Sequence, residues 1–280
     1  GDFSTIDQAI KAIKQGNLII IVDDEDRENE GDLVIAAEHI TPEKMTFMIN
    51  HTGGVVCMPM SNQIADQLDL PPMVPRNTSP RGTAFTVSID ASSGIETGIS
   101  AYDRARTVLA AINPKATAAD FTRPGHIFPL RAQAAGVLSR PWHTEASIDL
   151  CRLAGLRQGS VISELVKSDG TMLRLPELNE FAAKYGLVLI AVVDLIAYRY
   201  QTELFILLEA TTFIETDSGK WEVRVYKDTL HDLENIALIK GSIAPVTPTL
   251  VRIHSECFTG DLLGSRHCDC GEQMEKSLKK

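Results

Sequence analysis

Long apolar runs are missing from this chain of 280 residues. None approaches the ~18 residues that cross a bilayer, and no secretion signal opens the sequence. The cytoplasm is the expected location. The chain starts at Gly1 and not at Met, which reads as a processed or trimmed start. Positive charge is in short supply: 27 Lys and Arg stand against 37 Asp and Glu, a net charge of −10. Such a surface repels phosphate backbones, so nucleic-acid binding is disfavoured as the main role. An anionic metabolite then needs a local basic or helix-terminal site. Cysteines are few, five in all, and their odd number and irregular spacing argue against a secreted disulfide framework. What the chain does have is 44% hydrophobic residues at ordinary charge density, enough for one large domain or a domain with a smaller companion.

Helical and strand patterns alternate up to about residue 200. Ile6, Ala9, Ile10 and Ile13 recur at helical spacing behind Ser4 or Thr5 as the cap. Leu18 to Val22 reads as a strand covered on both faces. Thr41-Pro42-Glu43 starts a helix. Thr83 to Asp90 reads as a strand, Ser100 caps a helix reaching about Ile112, and Thr144 begins a helix that stops near Gly155. Pro176 to Tyr185 is a helix ended by Gly186, and Leu187 to Val193 is again a buried strand. This is an α/β pattern. Past about Gln201 the texture changes to short strands, at Phe205–Ala210, Trp221–Tyr226, Ile236–Lys240 and Thr249–Ile253, divided by turns such as Asp217-Ser218-Gly219. The expected domains are 1–202 and 203–280.

Two constellations carry chemistry. In Asp23-Asp24-Glu25-Asp26-Arg27-Glu28-Asn29-Glu30-Gly31-Asp32, acids crowd the end of a buried strand. Their mutual repulsion is relieved by a divalent cation such as Mg²⁺, which takes carboxylate oxygens. A solvated acidic loop is the plain alternative. The second is Arg123-Pro124-Gly125-His126, then Arg131, then Arg140-Pro141-Trp142-His143-Thr144-Glu145. Arg140 just ahead of a helix N-terminus makes a phosphate site, His143 is placed to ligate a metal, and His126 to move protons near neutral pH. Singly, each histidine is more often a structural residue.

These segments, with Gly82-Thr83-Ala84-Phe85-Thr86-Val87 and Thr97-Gly98-Ile99-Ser100, closely resemble the signatures of 3,4-dihydroxy-2-butanone 4-phosphate synthase over residues 3–202. The resemblance implies an α/β domain with a mixed sheet and surrounding helices. It implies conversion of D-ribulose 5-phosphate to 3,4-dihydroxy-2-butanone 4-phosphate and formate in riboflavin biosynthesis, by a homodimer with active sites near the subunit interface. Glu28 and His143 match the metal ligands, with Glu30 beside them. Arg27 and Asp32 match sugar-hydroxyl contacts, and Arg140 to Thr144, His143 included, the phosphate segment. His126 and Glu164 match positions essential for catalysis. The chemistry suits these types: a sugar must lose its C3 proton beside a cation, with Asp32 or Glu164 moving protons and His126 supporting as acid/base. Mn²⁺ should replace Mg²⁺ at such a mixed site. Three residues depart from the family pattern. Trp142 stands where Gly precedes the metal-binding His, and its ring either crowds the phosphate loop or forces different backbone angles. Ala135 replaces a Gly, and Ser163 a Cys.

Near the C-terminus, Cys257, Cys268 and Cys270 in a C-x10-C-x-C spacing can give three thiolates to Zn²⁺, with the fourth position left for water. Residues from about 207 to 280 resemble the first part of GTP cyclohydrolase II, whose zinc ligands map to these three cysteines, with His267 in place of an Arg. The implied piece is partial and mostly β, and no GTP hydrolysis is expected of it. Two other readings stand beside a working synthase: a fragment of a bifunctional enzyme, and a non-catalytic assembly partner disabled at Trp142.

Overall fold

The structure, a computed structural model, describes residues 3–23, 29–53, 55–244, 246 and 248–279. It divides into two compact units, residues 1–203 and residues 204–280.

The first unit is built on a seven-stranded mixed sheet. Its strands are β1 (Ile19–Val22), β2 (Gly31–Ala36), β3 (Cys57–Met60), β4 (Ile89–Ala91), β5 (Phe121–Arg131), β6 (Ser160–Glu164) and β7 (Val188–Ala191). Their order is β4-β5-β3-β6-β2-β1-β7. β1 pairs with β7, and β3 with β5, in parallel; the other neighbours run antiparallel. Among the described residues seven α-helices belong to this unit: α1 (Ile6–Lys14), α2 (Pro42–His51), α3 (Asn62–Gln67), α4 (Ala101–Ile112), α5 (His143–Leu153), α6 (Leu175–Tyr185) and α7 (Val192–Thr202).

Strand alternation sends side chains to two separate cores. Ile20, Leu33, Ile35, Met58 and Val161 pack with Met45, Val108 and Leu178, under α2, α4 and α6. Ile19, Ile21, Val34, Cys57 and Ile162 pack with Ile13, Leu150 and Leu195, under α1, α5 and α7. Local signals set the helix ends. Thr5 and Gln8 form a capping box, Thr41 and Ser100 cap α2 and α4, and Gly186 closes α6 with φ +65°. Among the described residues no helix is long and apolar enough to cross a membrane.

Four sequence expectations are corrected. The strand expected over 83–90 is regular only at Ile89–Ala91; Phe85 and Thr86 make isolated bridges to Leu130 and Pro72. The strand expected to reach Val193 stops at Ala191, because Val192 and Leu195 turn into the α5-side core as the start of α7. The helix expected from Thr144 begins one residue earlier, at His143. No strand forms at 249–253.

The second unit holds an antiparallel sheet of β8 (Ile206–Thr216), β9 (Gly219–Asp228) and β10 (Leu233–Ile239), in the order β10-β9-β8. Its β8–β9 turn uses Gly219 at φ +115°. A short π-type turn (Phe258–Leu262) and α8 (Cys270–Leu278) complete it.

Candidate functional site

Asp32 of β2 stands opposite Glu164 of β6 in the antiparallel ladder. Directly opposed residues point to the same face, with Cβ atoms about 5 Å apart. That face is the α5 side, because Val34 and Ala36 on β2 and Ile162 on β6 belong to its core. Asp32 is buried. His143, the first residue of α5, is also buried and brings Nδ1 to 3.9 Å from Asp32 Oδ2. Cys57 of β3 shares this face. Burial pushes its thiol well up, and the Glu164 and Asp32 carboxylates push it further. Two neighbouring carboxylates repel each other unless a proton or a cation lies between them. This is the chemistry of a hard-cation or proton-transfer site.

Asp23 and Glu30, on either side of residues 24–28, are tied to each other: Asp23 Oδ1 accepts the Glu30 N–H at 2.9 Å, and the Asp23 N–H donates back to the Glu30 carbonyl at 3.3 Å. Arg174 donates to the Asn29 carbonyl, and its Nη1 lies 3.9 Å from Glu30 Oε1. The expected sugar contact Arg27 and metal ligand Glu28 lie outside the described residues.

The segment 131–145 forms the adjoining wall. Trp142 is the N-cap of α5 and makes no side-chain cap bond, so the first turn of α5 carries the positive end of the helix dipole without a capping side-chain oxygen. Thr144 is buried in that turn. Arg140 Nη2 donates to Glu145 Oε1 at 2.6 Å and to the Arg131 carbonyl at 3.4 Å. Glu145, fully buried, also accepts the Gln133 N–H at 2.9 Å. The Arg140 guanidinium lies 4.4 Å from the centre of the Trp142 ring. Trp142 has φ −120° and ψ 163°, extended angles open to any residue, so no glycine geometry is needed there. Ala135 is equally ordinary at φ −80°; the glycine that matters is Gly136, at φ +62°, where a Cβ would lie 2.2 Å from Asp149 Oδ1. Asp149 and the Ala135 carbonyl are both held by Arg199 of α7, at 2.9 and 2.7 Å. Burial raises the Asp149 carboxyl, and the Val137 N–H and Arg199 oppose that rise. Ser163 faces the opposite core, where its hydroxyl donates to Thr52 Oγ1 at 2.9 Å.

His126 belongs to a different partnership, on β5. Its Nδ1 lies 2.7 Å from Asp90 Oδ2, and its backbone N–H donates to Asp90 Oδ1 at 2.9 Å. Sequence reading missed Asp90, Cys57 and Arg174. Only the strand pairing and the hairpin closure reveal them.

In the second unit the three cysteines do meet. Their sulfurs lie within 4.8 Å of one another, and among the described residues this is the only group of three or more candidate metal ligands so close. Cys257 and Cys268 Sγ are 3.8 Å apart, the edge of a tetrahedron with Zn–S bonds near 2.3 Å, roughly 3.8 Å. The Gly260 N–H and the Thr259 hydroxyl hold the Cys257 thiol down to about 7, while hydrogen bonds to the other two sulfurs push Cys270 up to about 12. A Cβ on Gly260 would sit 2.8 Å from Cys268 Sγ, inside the space the sulfurs share. Asp261 accepts from the Cys257 N–H at 2.8 Å and pairs with His254 Nε2 at 2.9 Å.

Residues 7–198 match the family model of 3,4-dihydroxy-2-butanone 4-phosphate synthase. The chain belongs to that family. The ribulose 5-phosphate chemistry read from its motifs stands with this membership. Residues 208–280 match GTP cyclohydrolase II. The chain is 50% identical over 279 residues to the riboflavin biosynthesis protein RibBA of Aquifex aeolicus, covering 99% of itself and 69% of that protein. It is 50% identical to RibBA of a Synechocystis species, of which it covers 50%. Among solved structures it resembles RibBX, a two-domain synthase of this family from A. baumannii, at TM-score 0.80 and 43% identity, over 97% of this chain and 80% of that one. It also resembles a synthase solved with two magnesium ions, at TM-score 0.68 and 45% identity, over 71% of this chain and 98% of that one.

Proposed function

We propose that this chain converts ribulose 5-phosphate to 3,4-dihydroxy-2-butanone 4-phosphate and formate at the face shared by Asp32, Glu164 and His143, with Mg²⁺ or Mn²⁺ as cofactor. The observation that carries the proposal is the opposition of Asp32 and Glu164 beside the buried His143. Glu28, Glu30 and His143 would hold the cation; carboxylate oxygens with one imidazole fit a hard divalent ion, and a related synthase binds magnesium. When bound, it supplies positive charge beside the sugar oxygens, which makes the C3 proton easier to remove.

The chain's own groups do the rest. Asp32 or Glu164 takes the C3 proton onto a carboxylate oxygen, since both sit at the strand ends beside the loop. Arg27 and Asp32 hold the sugar hydroxyls. The first turn of α5, from His143 and Thr144, and Arg140 hold the phosphate through N–H groups and positive charge. His126 acts as the second acid/base through Nε2, because Nδ1 is taken by Asp90. The enzyme works as a cytoplasmic homodimer. In the second unit Cys257, Cys268 and Cys270 bind Zn²⁺, for which the sulfur spacing is suited. GTP hydrolysis stays outside the proposal.

Formate release from ribulose 5-phosphate is the test. Release with Mg²⁺ that stops in EDTA and returns with Mg²⁺ supports the reading. Folded protein that releases no formate overturns it and favours the non-catalytic alternative.

A further inference from the structure

β5 does not run past β4 in unbroken register. Ile89 pairs with Ile127, yet the next residue, Asp90, pairs with Thr122, so Arg123 to His126 leave the ladder as an excursion. Residues that leave a ladder lose their strand partners, and their N–H groups must be satisfied some other way. Here β4 and its approach supply the acceptors. Ser88 Oγ accepts the Gly125 N–H at 3.0 Å, and Asp90 Oδ1 accepts the His126 N–H at 2.9 Å. Gly125 passes so close to β4 that a Cβ would lie 2.0 Å from the Ile89 carbonyl carbon. Arg123 ties down the start of the excursion through Nη2 to the Leu68 carbonyl at 2.7 Å.

One oxygen of Asp90 is spent on the excursion's backbone, at the His126 N–H. The other is given to the imidazole, 2.7 Å from Nδ1. The far side of this pair is closed by Gly98, at φ +90°, where a Cβ would lie 2.2 Å from Asp90 Oδ2 and 2.6 Å from His126 Nδ1. That loop is fixed in turn: Asp103 of α4 accepts the Gly98 N–H at 2.9 Å and the Glu96 N–H at 3.2 Å. Asp90 is buried, while the His126 side chain keeps 40% of its surface exposed. One carboxylate therefore holds both the backbone and the ring of a part-exposed histidine through Nδ1.

We infer that Asp90 is a positioning residue for the synthase reaction. It holds the neutral His126 ring with its proton on Nδ1, so that Nε2 is the nitrogen that exchanges protons with the substrate. The inference rests on the reading of His126 as an acid/base.

Asp90→Asn tests it. The amide oxygen can still accept the His126 N–H, but its NH₂ group faces Nδ1 and drives the ring proton to Nε2. ¹⁵N NMR of histidine-labelled protein, with the His126 signals assigned from His126→Asn, reads the tautomer without any turnover. The expected spectrum shows Nδ1–H in the wild type and in Asp90→Glu, and Nε2–H in Asp90→Asn. The expected kinetics are a kcat for Asp90→Asn lower by about 10²–10⁴-fold, with KM moved less than about threefold. Asp90→Glu should recover most of kcat. In the His126→Asn background, Asp90→Asn should cost less than about twofold more, since it acts through the missing ring. An unchanged tautomer in Asp90→Asn overturns the inference, and so does a switched tautomer with wild-type kcat. Wild-type protein that releases no formate overturns the acid/base reading of His126 itself, a different failure from either.

Discussion

Every residue of β1, β2 and β3 is buried, whereas every residue of β8 is exposed. The contrast runs through the two units. The first encloses its sheet between two apolar cores. In the second, Trp221 and Val223 are the buried large apolar side chains among the described residues, while Leu207, Leu208, Phe213 and Ile236 are open to solvent. Apolar burial is the main favourable term in folding, and a unit with little of it leans on metals or cross-links. The synthase unit is thus held by its core and is free to place charges at the ends of its strands. In the smaller unit the three-stranded sheet is joined by a cluster where Cys257, Cys268 and Cys270 come together at the start of α8.

The largest effect that separates the units is chemical. Asp32→Asn or Glu164→Gln should lower kcat for formate release by about 10²–10⁴-fold while leaving zinc content untouched. Each change removes one charge from a repelling pair, so the unfolding midpoint should hold or rise. Wild-type turnover in both variants would remove this pair from the site. Next in size is Arg199→Ala. It takes from Asp149 its nearer cation, leaving Arg152 at 3.8 Å, and frees the Ala135 carbonyl, and loss of one partner of such a buried pair costs about 3–5 kcal/mol. Urea unfolding of the first unit should shift by that amount. A shift of less than about 1 kcal/mol would mean that the pair lies in effective contact with water.

The cysteines sharpen the comparison further. Cys57 and Cys151 are buried and their thiols are pushed up, Cys151 to about 12. Cys257 is held down to about 7. A lowered thiol is thiolate above its pKa, so iodoacetamide labelling of metal-free Cys257 should climb as pH rises through about 7 and level off above it. Cys57 and Cys151 should stay unlabelled throughout. Added Zn²⁺ should protect the trio at about one ion per chain, and Cys270→Ser should abolish that protection. Equal labelling with and without Zn²⁺ would show that the sulfurs do not gather on a metal. Chelation should loosen residues 204–280 toward protease and leave the unfolding of the first unit in place.

Much of this was legible in the sequence, and the gaps have physical causes. Caps at Thr5, Thr41 and Ser100 act locally, so spacing alone locates them. The gathering of the three cysteines was equally readable, because residues so close in sequence have little chain between them to keep them apart. The Leu187–Val193 run was misread past Ala191, since the β-branched Val192 and Val193 entered a helix that the α5-side core selects. The strand expected over 83–90 survives as a ladder only at Ile89–Ala91, because Phe85 and Thr86 divide their bridges between Leu130 and Pro72. Membership of a site by pairing was hidden altogether. Nothing in the spacing of Asp32 and Glu164 announces that strand register brings them together, nor in that of Asp90 and His126 that an excursion of β5 does. The acidic loop through Arg27 and Glu28 was the strongest signal in the sequence, and it lies outside the described residues.

The smallest expected effect concerns the departure that weighed most in the sequence. A tryptophan in a glycine's place suggested a crowded or distorted phosphate loop. Its backbone at φ −120° is one that any residue adopts, so Trp142→Gly relieves no strain. The substitution removes the ring stacked on the Arg140 guanidinium, a contact worth about 0.5–1 kcal/mol at a partly exposed position. It also frees the unfolded chain by a further amount of about 0.5–1 kcal/mol. The first unit should therefore lose about 1–2 kcal/mol in urea unfolding. Arg140 keeps its 2.6 Å bond to the buried Glu145, so the guanidinium remains close to its place but less tightly held. KM for ribulose 5-phosphate should rise by about two- to fivefold with kcat preserved, the pattern of weakened ground-state binding. A KM that falls on removing the ring would reverse the conclusion: the indole would then be an obstacle at the phosphate site, and its stacking on Arg140 would compete with substrate.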